Sequence, residues 1–147
     1  MAQIPNQIVA LDVGDKRIGV AVASVEARLP RPLVTLANDD DFSRKLADII
    51  DKEAIGAIVV GLPRGMEGQH TAQTVATEKC VERLNQTINL PMIFQDEALT
   101  SQKAEEELGS RHQAFTKDEV DALAASYILQ DFLIDFHDMA DVTDMAV

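Results

Sequence analysis

The sequence predicts an α/β fold with a mixed central sheet, opening with an antiparallel hairpin and covered by helices on both faces. Apolar runs at Gln7 to Val13 and at Ile18 to Ser24 are separated by a short glycine-containing turn, which is typical of a hairpin. Farther along, short apolar segments alternate with segments of helical periodicity, as in strands joined by helices. The opening hairpin distinguishes this order of elements from a simple Rossmann order.

The later elements follow from apolar spacing, turn residues and helix caps. In chain order they are a strand at Pro32 to Leu36, a helix capped by Asn38, Asp39 or Asp40 and ending near Glu53, a strand at Ala57 to Gly61, a helix from about Thr71 to Gln86, a strand at Pro91 to Gln95, a helix from Thr100 through Leu108, and a last helix capped by Thr116 or Asp118. We expect one domain over residues 1–136 and a flexible acidic tail over residues 137–147.

Length and composition predict a single domain with no membrane-spanning or secretory segment. The chain has 147 residues, of which 46% are hydrophobic, enough for one domain with a real core. It contains neither an apolar run of membrane-spanning length nor a basic segment leading into a short apolar stretch near Met1. We therefore expect a cytoplasmic protein without membrane contact. The single Cys80 is expected to be a buried thiol without a chemical role.

Charge is distributed unevenly along the chain. The formal net charge is −12, which argues against nonspecific attraction to nucleic acid, because phosphates are bound chiefly by Lys and Arg. Much of the imbalance comes from residues 118–147, which hold eight acids and no Lys or Arg. Before that segment acids and bases are closer to balance. A local basic rim, including Lys16, Arg17 and Arg64, therefore remains compatible with a polyanionic substrate.

Three acids occupy comparable positions in the predicted fold. Asp12 lies near the end of an apolar strand, Glu97 just beyond the last strand, and Asp121 in the first turn of the last helix. Ligands of open α/β sheets bind beyond the carboxyl ends of strands, so these acids are expected to converge. Such a cluster suits Mg²⁺ or Mn²⁺, and two such ions would support in-line attack on a phosphodiester. Two simpler interpretations stay open: turn amides satisfy Asp12, and Asp118 is a helix cap rather than a fourth participant.

Four sequence blocks carry a resemblance to a known family. They are Leu11-Asp12-Val13-Gly14 with Lys16-Arg17-Ile18-Gly19-Val20-Ala21, Val60-Gly61-Leu62-Pro63 with Gly68, Asp96-Glu97 with Leu99-Thr100, and Val120-Asp121 with Leu123-Ala124-Ala125 and Ile128-Leu129-Gln130. Over roughly Gln7 to Leu133 the chain resembles the YqgF/RuvX family of pre-16S rRNA nucleases and Holliday-junction-resolvase-like proteins, which have an RNase H-like fold. The resemblance implies a metal-dependent endonuclease, with pre-16S rRNA or branched DNA as substrate.

The resemblance also implies roles for particular residues. Asp12, Glu97 and Asp121 match the family's acidic positions and would hold the metal. The expected substrate-binding residues are Lys16, Arg17, Arg64 and Thr100. One departure concerns the position after Asp96-Glu97, where relatives usually have Arg and this chain has Ala98. Another is the connection before Asp121, which has fewer basic residues than is usual in relatives.

Two other classes of function remain open at this point. One is a nucleotide-binding protein of the actin and sugar-kinase type, whose first hairpin also has an Asp-x-Gly turn. Its disadvantage is length, because those proteins enclose ATP between two lobes and this chain supplies one. The other is a noncatalytic RNase H-like binding or scaffold protein, which the net charge and Ala98 would favour.

Overall fold

The fold is a five-stranded mixed sheet with helices on both faces. A computed structural model describes residues 6–63, 67–97 and 117–135. Its elements are the strands β1 (Gln7–Val13), β2 (Arg17–Ser24), β3 (Arg31–Ala37), β4 (Ile55–Pro63) and β5 (Met92–Glu97), and the helices α1 (Phe42–Glu53), α2 (Ala72–Asn85) and α3 (Lys117–Asp135). The sheet order is β3-β2-β1-β4-β5. Strands β1, β2 and β3 are antiparallel neighbours, whereas β4 and β5 run parallel to β1. The predicted hairpin and mixed sheet are confirmed.

The two faces of the sheet pack against different helices. On one face, larger side chains such as Leu11 and Ile58 pack against residues of α1 and α2, including Leu46 and Leu84. The opposite face is built largely from small residues, and α3 covers it with larger ones. These small residues are Ala10, Ala21, Ala23 and Ala57, and the α3 residues include Ile128, Leu129 and Phe132. Small side chains let a helix approach a sheet closely, so α3 lies near the backbone of β1 and β2.

Several predicted element boundaries are wrong. Helix α1 begins after Asp41, which makes no side-chain capping hydrogen bond, instead of being capped by Asn38, Asp39 or Asp40. The Asp39 carboxylate instead accepts a hydrogen bond from the Asp41 backbone N–H at 3.0 Å, in the turn before the helix. Glu97 is the last residue of β5 and does not lie beyond it. Helix α2 begins after Thr71, close to the predicted start, and the Thr71 side chain caps it by accepting a hydrogen bond from the Thr74 N–H.

One of the two caps predicted for α3 is wrong. The helix begins at Lys117, so Asp118 lies within its first turn and does not cap it. Asp121 is the fifth residue of α3 and therefore belongs to the second turn.

Some predictions fall on other parts of the chain. The helix expected over 100–108, the Thr116 cap and the acidic tail at 137–147 lie outside the described residues. None of the helices in the described ranges is both long enough and apolar enough to cross a membrane.

Candidate active site

Asp12 lies near the carboxyl end of β1, on the face that α3 covers. Side chains alternate between the faces of a strand, so Asp12 shares its face with Ile8 and Ala10, which belong to the core under α3. In the hairpin register Asp12 stands opposite Gly19 of β2. The Asp12 carboxylate is thus directed toward α3 from an otherwise apolar strand.

Gly19 brings the backbone of α3 next to Asp12. A Cβ atom at Gly19 would lie 1.9 Å from the carbonyl oxygen of Asp121 and 2.9 Å from the nitrogen of Ala122. Both are backbone atoms, so no side-chain rotation would relieve the overlap. The missing side chain therefore lets α3 rest on β2 at the point where β2 pairs with Asp12.

The two carboxylates affect each other electrostatically. Burial, and secondly the charge of Asp121, raise the pKa of Asp12 from 3.8 to about 6. The ionised form of Asp12 is thus held in a site that disfavours its charge. A strongly perturbed carboxyl group beside a second acid is typical of a functional site.

Arg17 neutralises the other member of this pair. Its Nε donates a hydrogen bond to Oδ2 of Asp121 at 2.9 Å, and the same nitrogen lies 3.6 Å from Oδ1 of Asp118. The side chains of Arg17 and Asp121 are 34% and 23% exposed, so the pair lies at the rim of the site. Arg17, expected to bind substrate, is thus joined to an acid expected to bind metal.

The turn between β1 and β2, which carries Lys16 and leads into Arg17, is held from two sides. The side-chain amide of Asn38 donates to the Gly14 carbonyl at 2.8 Å, and the Asn38 backbone N–H donates to the Lys16 carbonyl at 2.9 Å. From α2, the side-chain amide of Gln73 donates to the Val13 carbonyl. The basic turn is therefore fixed relative to Asp12.

We expect Asn38→Ala to lower the free energy of unfolding by about 1 kcal/mol, because it removes one neutral side-chain hydrogen bond. Urea unfolding followed by circular dichroism measures this. Asn85→Ala, at the exposed end of α2, is the matched control and should change stability by less. Equal effects of the two substitutions would mean that the Asn38 side chain does not stabilise the turn.

Glu97 shares the sheet face of Asp12. Alternate side chains of a strand share a face, so Glu97 lies on the same face as Ile93 and Gln95. Ile93 belongs to the core under α3, and the side-chain amide of Gln95 donates to Oδ2 of Asp135 in α3. Its Oε1 atom is shielded from solvent. The described residues nevertheless contain no group of three or more acidic, histidine or cysteine side chains close enough to hold a metal ion. Of the three predicted acids, Asp12 and Asp121 are the two that the structure brings together. Glu97 lies at the same end of the sheet, at the carboxyl end of β5.

The other predicted binding residues differ in what the structure says about them. Lys16 is exposed on the hairpin turn. Arg64 and Thr100 lie outside the described residues. Cys80 is a buried thiol of α2, as predicted.

Sequence reasoning missed how the site is held together. A glycine inside a strand often marks close approach of another backbone, and Gly19 has that signal. Asn38 and Gln73 gave none, because their hydrogen bonds join residues 24 and 60 positions apart in the chain.

Comparison with solved structures identifies the fold. Thermus thermophilus RuvC in complex with a Holliday junction substrate superimposes with a TM-score of 0.56 at 16% identity, covering 88% of this chain and 94% of RuvC. A second T. thermophilus RuvC structure gives a TM-score of 0.53 at 13% identity, covering 88% and 95%. The fold is thus RNase H-like, as in the RuvC resolvase.

Sequence comparison gives the family. Residues 6–135 match the family RuvX, described as "Holliday junction resolvase", and the chain belongs to that family of nucleases. A relative from Chloroflexus aggregans is 40% identical over 86% of this chain and 92% of its own length. One from Sulfurihydrogenibium sp. is 37% identical over 87% and 90%. Both carry the name "Putative pre-16S rRNA nuclease". The family resemblance is thereby confirmed.

Proposed function

We propose that this protein is a metal-dependent endonuclease that hydrolyses phosphodiester bonds in the 5′-end maturation of pre-16S rRNA. The observation that carries the proposal is the pairing of Asp12 and Asp121, which the Gly19 contact brings together at one end of the sheet. The names of relatives that align over most of this chain support the choice of RNA. Asp12, Asp121 and Glu97 are proposed as the catalytic acids.

The donor atoms present are compatible with Mg²⁺ or Mn²⁺. Magnesium is usually held by one or two protein carboxylates, with water and substrate phosphate completing its coordination. Asp12 and Asp121 supply two such carboxylates. Burial, and secondly the charge of Asp121, raise the pKa of Asp12, and a divalent cation would offset both effects. When bound, the metal would polarise phosphate oxygens and lower the pKa of a coordinated water. Glu97 would complete the site from β5.

The protein's own groups would bind and orient the nucleic acid. Lys16 is exposed on a turn that Asn38 fixes beside the acids. A phosphate bound there would lie next to Asp12 and Asp121. Positive charge on this turn would offset the repulsion that the chain's net charge of −12 exerts on a polyanion.

We expect Lys16→Ala to reduce the salt dependence of nucleic-acid binding by about one unit in the slope of log affinity against log salt concentration, since it removes one phosphate contact. Fluorescence anisotropy with a labelled RNA at several salt concentrations measures the slope. Lys79→Ala, on α2, removes the same charge elsewhere and should leave the slope unchanged. An unaltered slope with Lys16→Ala would move the basic rim away from this turn.

Branched DNA is the second candidate substrate. The description of the RuvX family favours it, as a Holliday junction resolvase acts on four-way DNA junctions. The same acids and basic turn would serve either substrate. A noncatalytic binding protein is the further alternative, favoured by Ala98 at a position where the family resemblance leads us to expect Arg.

The experiment compares a labelled pre-16S rRNA fragment with a synthetic four-way DNA junction, each incubated with Mg²⁺, Mn²⁺ or EDTA. The enzyme forms are wild type, Asp12→Asn, Asp121→Asn and Glu97→Gln. Asp48→Asn is the matched control because Asp48 is an exposed acid of α1. We expect metal-dependent cleavage of the rRNA fragment by wild type and by the control, and none by the three site variants.

Each other result has a definite meaning. Preferential cutting of the junction would assign the protein to DNA resolution. Cleavage by Glu97→Gln at the wild-type rate would remove Glu97 from the site. Absence of cleavage of both substrates in every metal, with binding retained, would favour the noncatalytic alternative.

A further inference from the structure

The guanidinium group of Arg17 already binds Asp121, one of the proposed metal ligands. The Nε of Arg17 donates to Oδ2 of Asp121 at 2.9 Å, and Asp121 is the acid whose charge acts on Asp12. A carboxylate oxygen that accepts a hydrogen bond from a guanidinium is less available to a metal ion. The charge of Arg17 also partly replaces the charge that a metal would supply.

We propose that Arg17 competes with the divalent cation for Asp121, and that metal binding releases Arg17 to contact a substrate phosphate. This inference rests on the proposed function, because it concerns the same metal and substrate. Arg17 thereby couples the binding of metal to the binding of substrate. Guanidinium groups bind carboxylates and phosphates by the same hydrogen-bonding geometry, so exchange between them is chemically matched.

The surrounding contacts favour movement of the Arg17 side chain over movement of the acid. The backbone of Asp121 rests on Gly19, and the Thr35 hydroxyl donates to the Asp118 carbonyl at 2.7 Å, which ties the start of α3 to β3. The Arg17 side chain is 34% exposed at the rim, with solvent on one side. An exchange of partners therefore requires only rotation of a long side chain. Asp118, at 3.6 Å, is a second acid that the guanidinium can still face.

Substitution of Arg17 by methionine tests the competition without nucleic acid. Methionine keeps much of the apolar stem but has no positive charge or donor. A partly exposed pair contributes modestly, so we expect Arg17→Met to bind Mn²⁺ about two- to fivefold more tightly than wild type. Lys16→Met is the matched control, since it removes a neighbouring charge that forms none of the ion pairs found among the described residues. Free Mn²⁺ is measured by electron paramagnetic resonance during titration.

A second measurement follows Arg17 in the wild-type protein and does not depend on the variant folding. The ¹⁵Nε–¹H resonance of Arg17 is followed by nuclear magnetic resonance during titration with Mg²⁺. We expect it to shift with the same midpoint as Mg²⁺ binding, as its bond to Asp121 is lost. A resonance that does not move while Mg²⁺ binds would overturn the inference.

The release of Arg17 also predicts that its phosphate contact depends on metal. In EDTA, wild type and Arg17→Met should show similar salt slopes for binding the four-way junction, because Arg17 is held by Asp121. In Ca²⁺, used to occupy the site, the wild-type slope should exceed that of Arg17→Met by about one unit. Equal slopes in both conditions would contradict the release step.

The outcomes separate this inference from the function on which it rests. If wild type binds Mn²⁺ and Arg17→Met binds it equally or more weakly, Arg17 is a structural tie between β2 and α3, and the metal site stands. If Lys16→Met tightens binding as much as Arg17→Met, the effect is one of overall charge and the competition is refuted. If neither wild type nor Arg17→Met binds Mn²⁺, the proposed metal site and this inference fail together.

Discussion

Asp12→Asn is expected to make the metal-free protein more stable at pH 8 while it removes cleavage. Burial and the charge of Asp121 raise the pKa of Asp12 to about 6, so the folded protein binds this proton more tightly than the unfolded chain does. Stability from this group is fully present below pH 4 and is lost as the pH rises through 6. At pH 8 the wild-type protein therefore carries a destabilising charge that asparagine lacks.

The size of this effect is set by the shift of the Asp12 pKa. Each unit of pKa corresponds to about 1.4 kcal/mol, so the gain at pH 8 is expected to reach up to about 3 kcal/mol. Urea unfolding of both proteins, in buffer without divalent cations, gives the difference at pH 8 and at pH 4. We expect a clear gain at pH 8 and a much smaller difference at pH 4, because Asp12 is then protonated in the folded wild type and only partly ionised in its unfolded chain.

Cleavage should change in the opposite direction. Asparagine keeps the volume of aspartate but not the negative charge that a hard divalent cation prefers, so metal-dependent cleavage is expected to be lost. Asp48→Asn, on the exposed surface of α1, should alter neither property. A variant that is less stable at pH 8 and still cleaves would contradict the assignment of Asp12, since both results depend on an unfavourable charge held in place for metal.

For the proposed site, candidate residues can be read from the sequence more readily than their arrangement. Asp12 was identifiable because a lone carboxylate in an apolar strand needs a partner, and the family motif also marks Glu97 and Asp121. The hairpin followed from two apolar runs with a short turn between them. These features are local, so they can be recognised without knowledge of the tertiary structure.

The arrangement depends on contacts between distant parts of the chain. Arg17 and Asp121 are 104 residues apart, and nothing in the pattern around Arg17 distinguishes a partner of phosphate from a partner of an acid. The Asn38 contact with the turn likewise replaced the helix-capping role that its position suggested. For Arg17 and Asn38, contacts with distant residues determine which of several locally possible roles the side chain takes.

Gly19→Ala is expected to be among the most destabilising single substitutions in the described part of the chain. Its Cβ would lie 1.9 Å from the Asp121 carbonyl oxygen, so α3 would have to move away from β2. Overpacking typically costs about 1 to 3 kcal/mol in the free energy of unfolding, and a loss at the upper end is expected here because backbone must move. Urea unfolding measures the loss, with circular dichroism as a check that the variant folds.

Gly61→Ala is the matched control on the same face of the sheet. There the added Cβ would lie 2.3 Å from Cδ1 of Ile128, the far end of a side chain that can rotate. We expect a smaller loss, and a double variant with Ile128→Val should lose less than the sum of its parts, because valine lacks the Cδ1 atom. No side-chain truncation offers the same relief at Gly19, where the opposing atoms are backbone.

The comparison of these two glycines tests how the active site is assembled. If the contact with Gly19 keeps α3 close to Asp12, α3 should lie farther away in a folded Gly19→Ala protein. Asp121 would then be farther from Asp12, and the pKa of Asp12 should fall toward its ordinary value. Carbon-detected nuclear magnetic resonance of the Asp12 carboxyl group measures that pKa. Equal losses of stability for Gly19→Ala and Gly61→Ala, with an unchanged Asp12 pKa, would mean that a contact other than Gly19 keeps the two acids together.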